Sequence, residues 1–259
     1  MKSLMAGNWK MHKTIAEGVE FVNELKKQLQ DRPERGVLIC VPATMLHAVA
    51  EAAKGSAIMV GSEDMYFEDK GAFTGEISPL MVKDAGATVT LVGHSERRVI
   101  FGETDFVVNK KIKAALAHGI LPVLCVGESL EEREAGKLEL VLSTQIKGAF
   151  EGISAADASR IVIAYEPVWA IGTGKTASPQ DADDAHGMAR MIVSSIYGSD
   201  LADNMAILYG GSVKADNVDE LMAMENINGA LVGGASLEVE SFTRIANFTC
   251  GGNCSCANK

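Results

Sequence analysis

Short apolar runs alternate with stretches of helical period along almost the whole chain. The runs cover residues 4–10, 37–41, 57–63, 88–94, 121–127, 161–166, 205–210 and 229–233, and each has the length and aliphatic character of a buried strand. Between them lie amphipathic segments. The clearest places Ala182, Ala185, Met188, Ala189, Ile192, Val193 and Ile196 on one helical face, and a second does the same with Ile15, Val19, Val22, Leu25 and Leu29. A buried strand followed by a crossover helix implies parallel pairing, because a parallel neighbour is reached only through such a connection. Eight units of this kind in 259 residues predict a single α/β domain over residues 1–248, a closed (β/α)8 barrel rather than an open doubly wound sheet. Residues 249–259 lack apolar period and are expected to form a disordered tail.

The ends of the apolar runs carry the chemistry. They exit into Gly7-Asn8-Trp9-Lys10, Gly93-His94-Ser95-Glu96, Gly127-Glu128, Tyr165-Glu166, Gly210-Gly211-Ser212 and Gly233-Gly234. A parallel barrel gathers all these ends on one face, so residues far apart in sequence can share a pocket. Glu166 is followed by Pro167, which fixes φ, and then by Val168, Trp169, Ala170, Ile171, Gly172, Thr173, Gly174 and Lys175, an apolar loop with glycine hinges suited to covering a site. Strand alternation puts Asn8 and Lys10 on one side and Gly7 and Trp9 on the other.

Composition narrows the function. The net charge of −10 argues against non-specific nucleic-acid binding, and an anionic substrate would need local positive groups. No apolar run reaches the roughly 18 residues of a membrane span, so the reading is a soluble, cytoplasmic protein. Of the five cysteines, Cys40 and Cys125 lie in strand-like runs, while Cys250, Cys254 and Cys256 lie in the tail. The five histidines show no paired ligand spacing, and neither a metal nor a cofactor is expected.

Seven motifs then stand in order: AGNWKM (6–11), GAFTGEIS (71–78), GHSERR (93–98), EREAG (132–136), AYEPVWAIGTGKTA (164–177), YGGSV (209–213) and LVGGASL (231–237). On these the chain resembles the triosephosphate isomerase family over roughly residues 1–248. The resemblance implies a TIM barrel that interconverts dihydroxyacetone phosphate and glyceraldehyde 3-phosphate through an enediolate. Glu166 is then the base that removes a proton beside the carbonyl, and His94 the electrophile. If Ser95 opens a short helix, its N–H groups would hold the His94 ring neutral. Lys10 supplies fixed charge, Asn8 a neutral donor, and Glu96 pairs with Lys10 or orders the site. By the same resemblance Ser95 holds Glu166 in the open form, and Trp169, Ile171, Tyr209 and Leu231 form or support the lid, with Cys125 and Glu128 behind it.

A phosphate dianion needs N–H groups unobstructed by Cβ atoms, which Gly172, Gly211, Ser212, Gly233 and Gly234 offer. Residues 233–236 are expected to open a short helix whose N-terminus faces the phosphate. The long segment 67–77 resembles the loop that enters a twin subunit, with Phe73 and Thr74 at the interface of a homodimer. Glu63-Asp64 stand where many members carry Gln-Asn, and Lys13 where many carry a small residue or Cys; a compensating pair between them is one expectation. Other readings remain open at this point: another phosphate-binding barrel lyase, or a non-catalytic phosphometabolite-binding barrel.

Overall fold

The computed structural model describes residues 3–30, 32–170 and 177–249. Eight parallel strands close into a barrel in sequence order: β1 (Ser3–Asn8), β2 (Arg35–Val41), β3 (Ile58–Ser62), β4 (Val89–Val92), β5 (Leu121–Val126), β6 (Val162–Tyr165), β7 (Ile207–Tyr209) and β8 (Gly229–Val232). Closure is made by β1 against β8, with Leu4 opposite Gly229 and Gly7 opposite Val232. All eight apolar runs of the sequence become strands. Seven of the strands end one or two residues earlier than their runs, since the polar exits leave the sheet, and β2 ends with its run at Val41.

Alternation sorts the core into two shells. Leu4, Ala6, Leu38, Cys40, Leu91, Val123, Cys125, Ala164, Leu208 and Leu231 fill the barrel interior, while Met5, Ile39, Val41, Val92, Leu124 and Ile163 face outward against the helices. That period of two is why strands buried on both faces read as continuous apolar runs. The helical periods also become helices, Ile15–Gln28 and Pro179–Tyr197. Thr14 and Ser178 start them as capping boxes with Glu17 and Asp181, each satisfying N–H groups that the first turn leaves unpaired.

The last helix spans Val239–Ala246, and the chain stays attached beyond it. Phe248 is fully buried under the Arg35 guanidinium, 3.8 Å from its ring centroid. Thr249 donates to Asp219 through N at 2.9 Å and Oγ1 at 2.7 Å. Thr249 therefore belongs to the fold rather than to the tail, and residues 250–259, with Cys250, Cys254 and Cys256, lie outside the described residues.

Candidate active site

Glu166 follows β6 directly. Val162 and Ala164 point into the barrel and Tyr165 points out, so the next residue in the alternation returns to the inner side. Its backbone is clamped by both neighbouring strands: Glu166 N donates to Val126 O at 2.7 Å, and Gly210 N donates to Tyr165 O at 2.7 Å. Gly127 completes the clamp, because a Cβ there would overlap the Glu166 carbonyl oxygen. The carboxylate is 2% exposed. One oxygen accepts from Ser95 N at 2.9 Å and the other lies 2.8 Å from His94 Nε2.

His94 reaches this position by a turn. Leu91 faces inward and Val92 outward, so unbroken alternation would send residue 94 away from the site. Gly93, at φ 71, reverses the direction, a conformation that side-chain-bearing residues rarely adopt. Arg98 anchors the turn by donating from Nε to Gly93 O at 2.7 Å, while its Nη1 pairs with Asp105 at 2.6 Å. The expected helix does start at Ser95, spanning Ser95–Val99, and His94 caps it by accepting from Glu96 N at Nδ1, 3.3 Å away. A lone pair at Nδ1 places the proton on Nε2, facing Glu166. Burial pulls the imidazole pKa down, but the charge and hydrogen bond of Glu166 pull it up, and the balance is upward. In this arrangement the docked carboxylate, with Glu96 beside it, opposes the burial that favours a neutral ring.

Lys10 also departs from the alternation argument. β1 ends at Asn8, and Lys10 stands two residues beyond it at φ 54, a sparsely populated conformation for a residue with a Cβ. Its N–H donates to Asn8 Oδ1 at 3.1 Å and its Nζ meets Glu96 Oε1 at 2.6 Å. A left-handed turn, not strand period, brings Lys10 and Asn8 to one cavity.

That cavity, of about 320 Å³, is lined by Asn8, Lys10, His94 and Glu166 together with Gly211, Ser212, Leu231, Gly233 and Gly234. The helix expected after β8 is a single 3-10 turn, Gly234–Ser236. A Cβ at Gly234 would touch nothing, and one at Gly233 only Lys10 Cε at 3.7 Å. Packing therefore does not demand glycine at either position, and the room stays open on the cavity side. Ile171 and Gly172 lie outside the described residues.

Behind the base, Glu128 is fully buried and accepts from Tyr165 Oη at 3.0 and 3.1 Å and from Trp169 Nε1 at 2.8 Å. Burial raises its pKa, opposed by those donors and by Arg133. Trp169 is thus tied to the strand that carries Glu166. Tyr209 packs near the buried His186 ring, at 6.1 Å, and burial pushes its hydroxyl up to about 12. The sequence reading gave no role to Arg98 or Arg133, although both lie inside quoted motifs; position in a motif was the available signal.

The pair singled out at residues 63 and 64 behaves differently from expectation. Asp64 takes Lys111 Nζ at 2.6 Å and Arg97 Nη2 at 2.9 Å, and Lys111 also holds Glu103 at 2.7 Å. Lys13 pairs with neither residue 63 nor 64; its Nζ sits over Phe21 and Trp9, 4.9 and 5.4 Å from their ring centroids. Glu63 keeps Oε1 buried with no hydrogen-bond partner. Burial raises its carboxyl to about 8 from 4.5, the Lys10 backbone only partly opposing this. Between those values the folded protein binds a proton that the unfolded chain has released, so stability falls as pH rises from 4.5 through about 8. Glu63→Gln is expected to leave stability near pH 5 almost unchanged and to raise it by on the order of 2–4 kcal/mol at pH 8.5. Denaturant unfolding at both pH values checks this, and an equal gain at both would show that titration is not the cause.

Glu63 lines a second cavity of about 390 Å³ with Lys10, Met11, Arg97, Glu96 and Phe101. Met11 is 94% exposed and Phe101 68% exposed. Phe73 projects from the long loop 67–77, packed on Tyr66 at 4.7 Å between centroids and still 40% exposed.

A family model described as triosephosphate isomerase matches residues 3–249. A triosephosphate isomerase of Roseiflexus sp. (strain RS-1) is 53% identical, the match covering 95% of this chain and 96% of the relative. One of Herpetosiphon aurantiacus is 50% identical over 95% of this chain and 99% of its own, and one of Carboxydothermus hydrogenoformans is 51% identical over 94% and 97%.

Proposed function

This chain belongs to the triosephosphate isomerase family, an isomerase on a (β/α)8 barrel, and from that premise we propose how its own residues carry out the interconversion of dihydroxyacetone phosphate and glyceraldehyde 3-phosphate. The observation that carries the reading is one cavity lined both by Glu166, His94 and Lys10 and by the glycines after β7 and β8. The phosphate is held by Gly211, Ser212, Gly233 and Gly234, where a Cβ-free backbone can bring N–H groups to the anion. That leaves the carbonyl carbon between Glu166 and His94.

Glu166 removes a proton from the carbon beside the carbonyl, giving an enediolate, and returns it to the neighbouring carbon. His94 donates from Nε2 to the oxygen on which charge develops, with Asn8 and the Lys10 ammonium beside it. When the Glu166 carboxylate turns from Ser95 and His94 to the substrate, the charge and hydrogen bond by which it raises the imidazole pKa are removed, and burial, the largest influence, then favours the neutral ring. A neutral imidazole fits this step: it gives its Nε2 proton to the former carbonyl oxygen and takes one back from the neighbouring hydroxyl, so that the proton passes between the two oxygens as the carbonyl shifts. Leu231 and Trp169 provide apolar cover that strengthens these interactions. A coupled assay with glyceraldehyde 3-phosphate and an NADH-linked dehydrogenase for the ketose tests the proposal. Absence of turnover in protein free of host isomerase would overturn it, in favour of a binding barrel.

The active assembly is a homodimer, supported by the exposed Met11 and Phe101 around the second cavity and by the protruding Phe73. Thr74 of one copy would then reach that cavity on the other, next to Lys10 and Asn8. Phe73→Asp is expected to shift sedimentation toward the monomer and to lower activity most at low protein concentration, because it places a charge in an apolar contact. A fully active monomer would remove the interface argument. We place the enzyme in the cytoplasm, in keeping with its free, buried thiols Cys40 and Cys125.

A further inference from the structure

The charge around the substrate is poorly balanced. The chain carries 34 acidic and 24 basic side chains, and its substrate under the proposed function is a dianion. Lys10 is the cation nearest the chemistry, but its Nζ is paired with Glu96 at 2.6 Å, and Glu166 adds a further carboxylate to the same cavity. The glycines that would hold the phosphate bring backbone N–H groups, which act only at contact.

Among the described residues, one other lysine lines this cavity. Lys214 follows Ser212 and Val213 at the phosphate end, and its side chain is exposed at the mouth. Its backbone is fixed there: Lys214 N donates to Asn217 Oδ1 at 2.8 Å, and Asn217 Nδ2 donates to Ser212 O at 3.0 Å, which ties the residue to the loop end bearing Ser212. The side chain is not engaged in any of the salt bridges among the described residues.

We propose that Lys214 is a positioning residue that draws the phosphate dianion to the Gly211–Ser212 and Gly233–Gly234 end of the cavity and so sets the orientation in which substrate enters. An unpaired cation at the rim of a concave site raises the local concentration of an anion and its rate of capture. Salt screens the effect, because the ammonium is exposed and the Debye length falls to about 3 Å at 1 M ionic strength. Lys214 takes no part in proton transfer, so its contribution lies in capture and not in turnover.

The inference rests on the proposed isomerase reading, and the test separates the two. Lys214→Gln removes the charge and keeps most of the apolar stem; Lys214→Glu reverses it. Lys147→Gln is the control for net charge, since Lys147 lies in the last turn of the helix Leu138–Phe150, and the helices return to the face opposite the site. At low ionic strength we expect kcat/KM to fall about threefold for Lys214→Gln and about tenfold or more for Lys214→Glu, with kcat within twofold of the parent. The inhibition constant of inorganic phosphate rises in the same order, and the differences shrink severalfold toward 0.5 M salt while Lys147→Gln follows the parent. Variants at Lys214 indistinguishable from Lys147→Gln, or a loss that falls on kcat and ignores salt, would overturn the role of Lys214 while leaving the isomerase reading intact. Parent protein with no turnover would instead remove the isomerase reading on which the inference stands.

Discussion

Glu166→Gln is expected to lower kcat by about two to four orders of magnitude while leaving the fold and the binding of a non-reacting phosphate analogue in place, the range associated with loss of a positioned general base. The amide has nearly the shape of the carboxylate, so the Ser95 N–H keeps an acceptor at the position now 2.9 Å away. Proton abstraction from carbon is lost, because an amide oxygen is far too weak a base. The contact with His94, now 2.8 Å, also changes, since a neutral partner no longer raises the imidazole pKa. The variant should therefore show a His94 resonance that titrates lower than in the parent without ligand. Turnover within a few-fold of the parent would exclude Glu166 as the base. An unchanged imidazole titration would show that the carboxylate is not what raises His94.

Gly127→Ala tests a residue that never touches substrate. A methyl group at this position would overlap the carbonyl oxygen of Glu166, and the amide of Glu166 is fixed on Val126 O at 2.7 Å, so the backbone carrying the base must move. Gly127 is itself pinned through N to Gln145 Oε1 at 2.8 Å and through O to Gln145 Nε2 at 3.2 Å, which leaves Glu166 as the side that gives way. A displacement of about 1 Å at a catalytic group costs roughly 10²-fold, and the overpacking itself destabilises by about 1–3 kcal/mol. We expect kcat to fall at least that far with KM little changed, in protein whose circular dichroism is native. If kcat stays near the parent value and only the melting temperature drops, the strain is absorbed elsewhere and the clamp is not what positions the base.

The amino-acid sequence by itself determined the barrel. Eight runs buried on both faces are satisfied by a parallel sheet covered with helices, and the structure sorts their alternating residues into two shells, Leu4, Ala6, Leu38 and Cys40 in one and Met5, Ile39 and Val41 in the other. Motif order likewise gave the family, and Glu166 was legible because it stands where an apolar run exits into Pro167 and an apolar loop with glycine hinges. What the sequence could not supply lies where the chain leaves regular geometry or where charges from distant segments meet. His94 and Lys10 reach the cavity through backbone turns at Gly93 and at Lys10 itself, with φ of 71 and 54, and a positive φ inverts the alternation on which a pattern argument depends. The partners of Asp64 were equally hidden: Lys111 and Arg97 come from segments 47 and 33 residues away in the chain, at 2.6 and 2.9 Å, while the expected partner Lys13 was drawn onto aromatic rings. The raised pKa of Glu63 and the upward balance at His94 follow from burial and from neighbours that only the closed barrel brings together. Periodicity fixes which face a residue takes within an element, a local property; the environment of a charge is a sum over elements and is decided only when they pack.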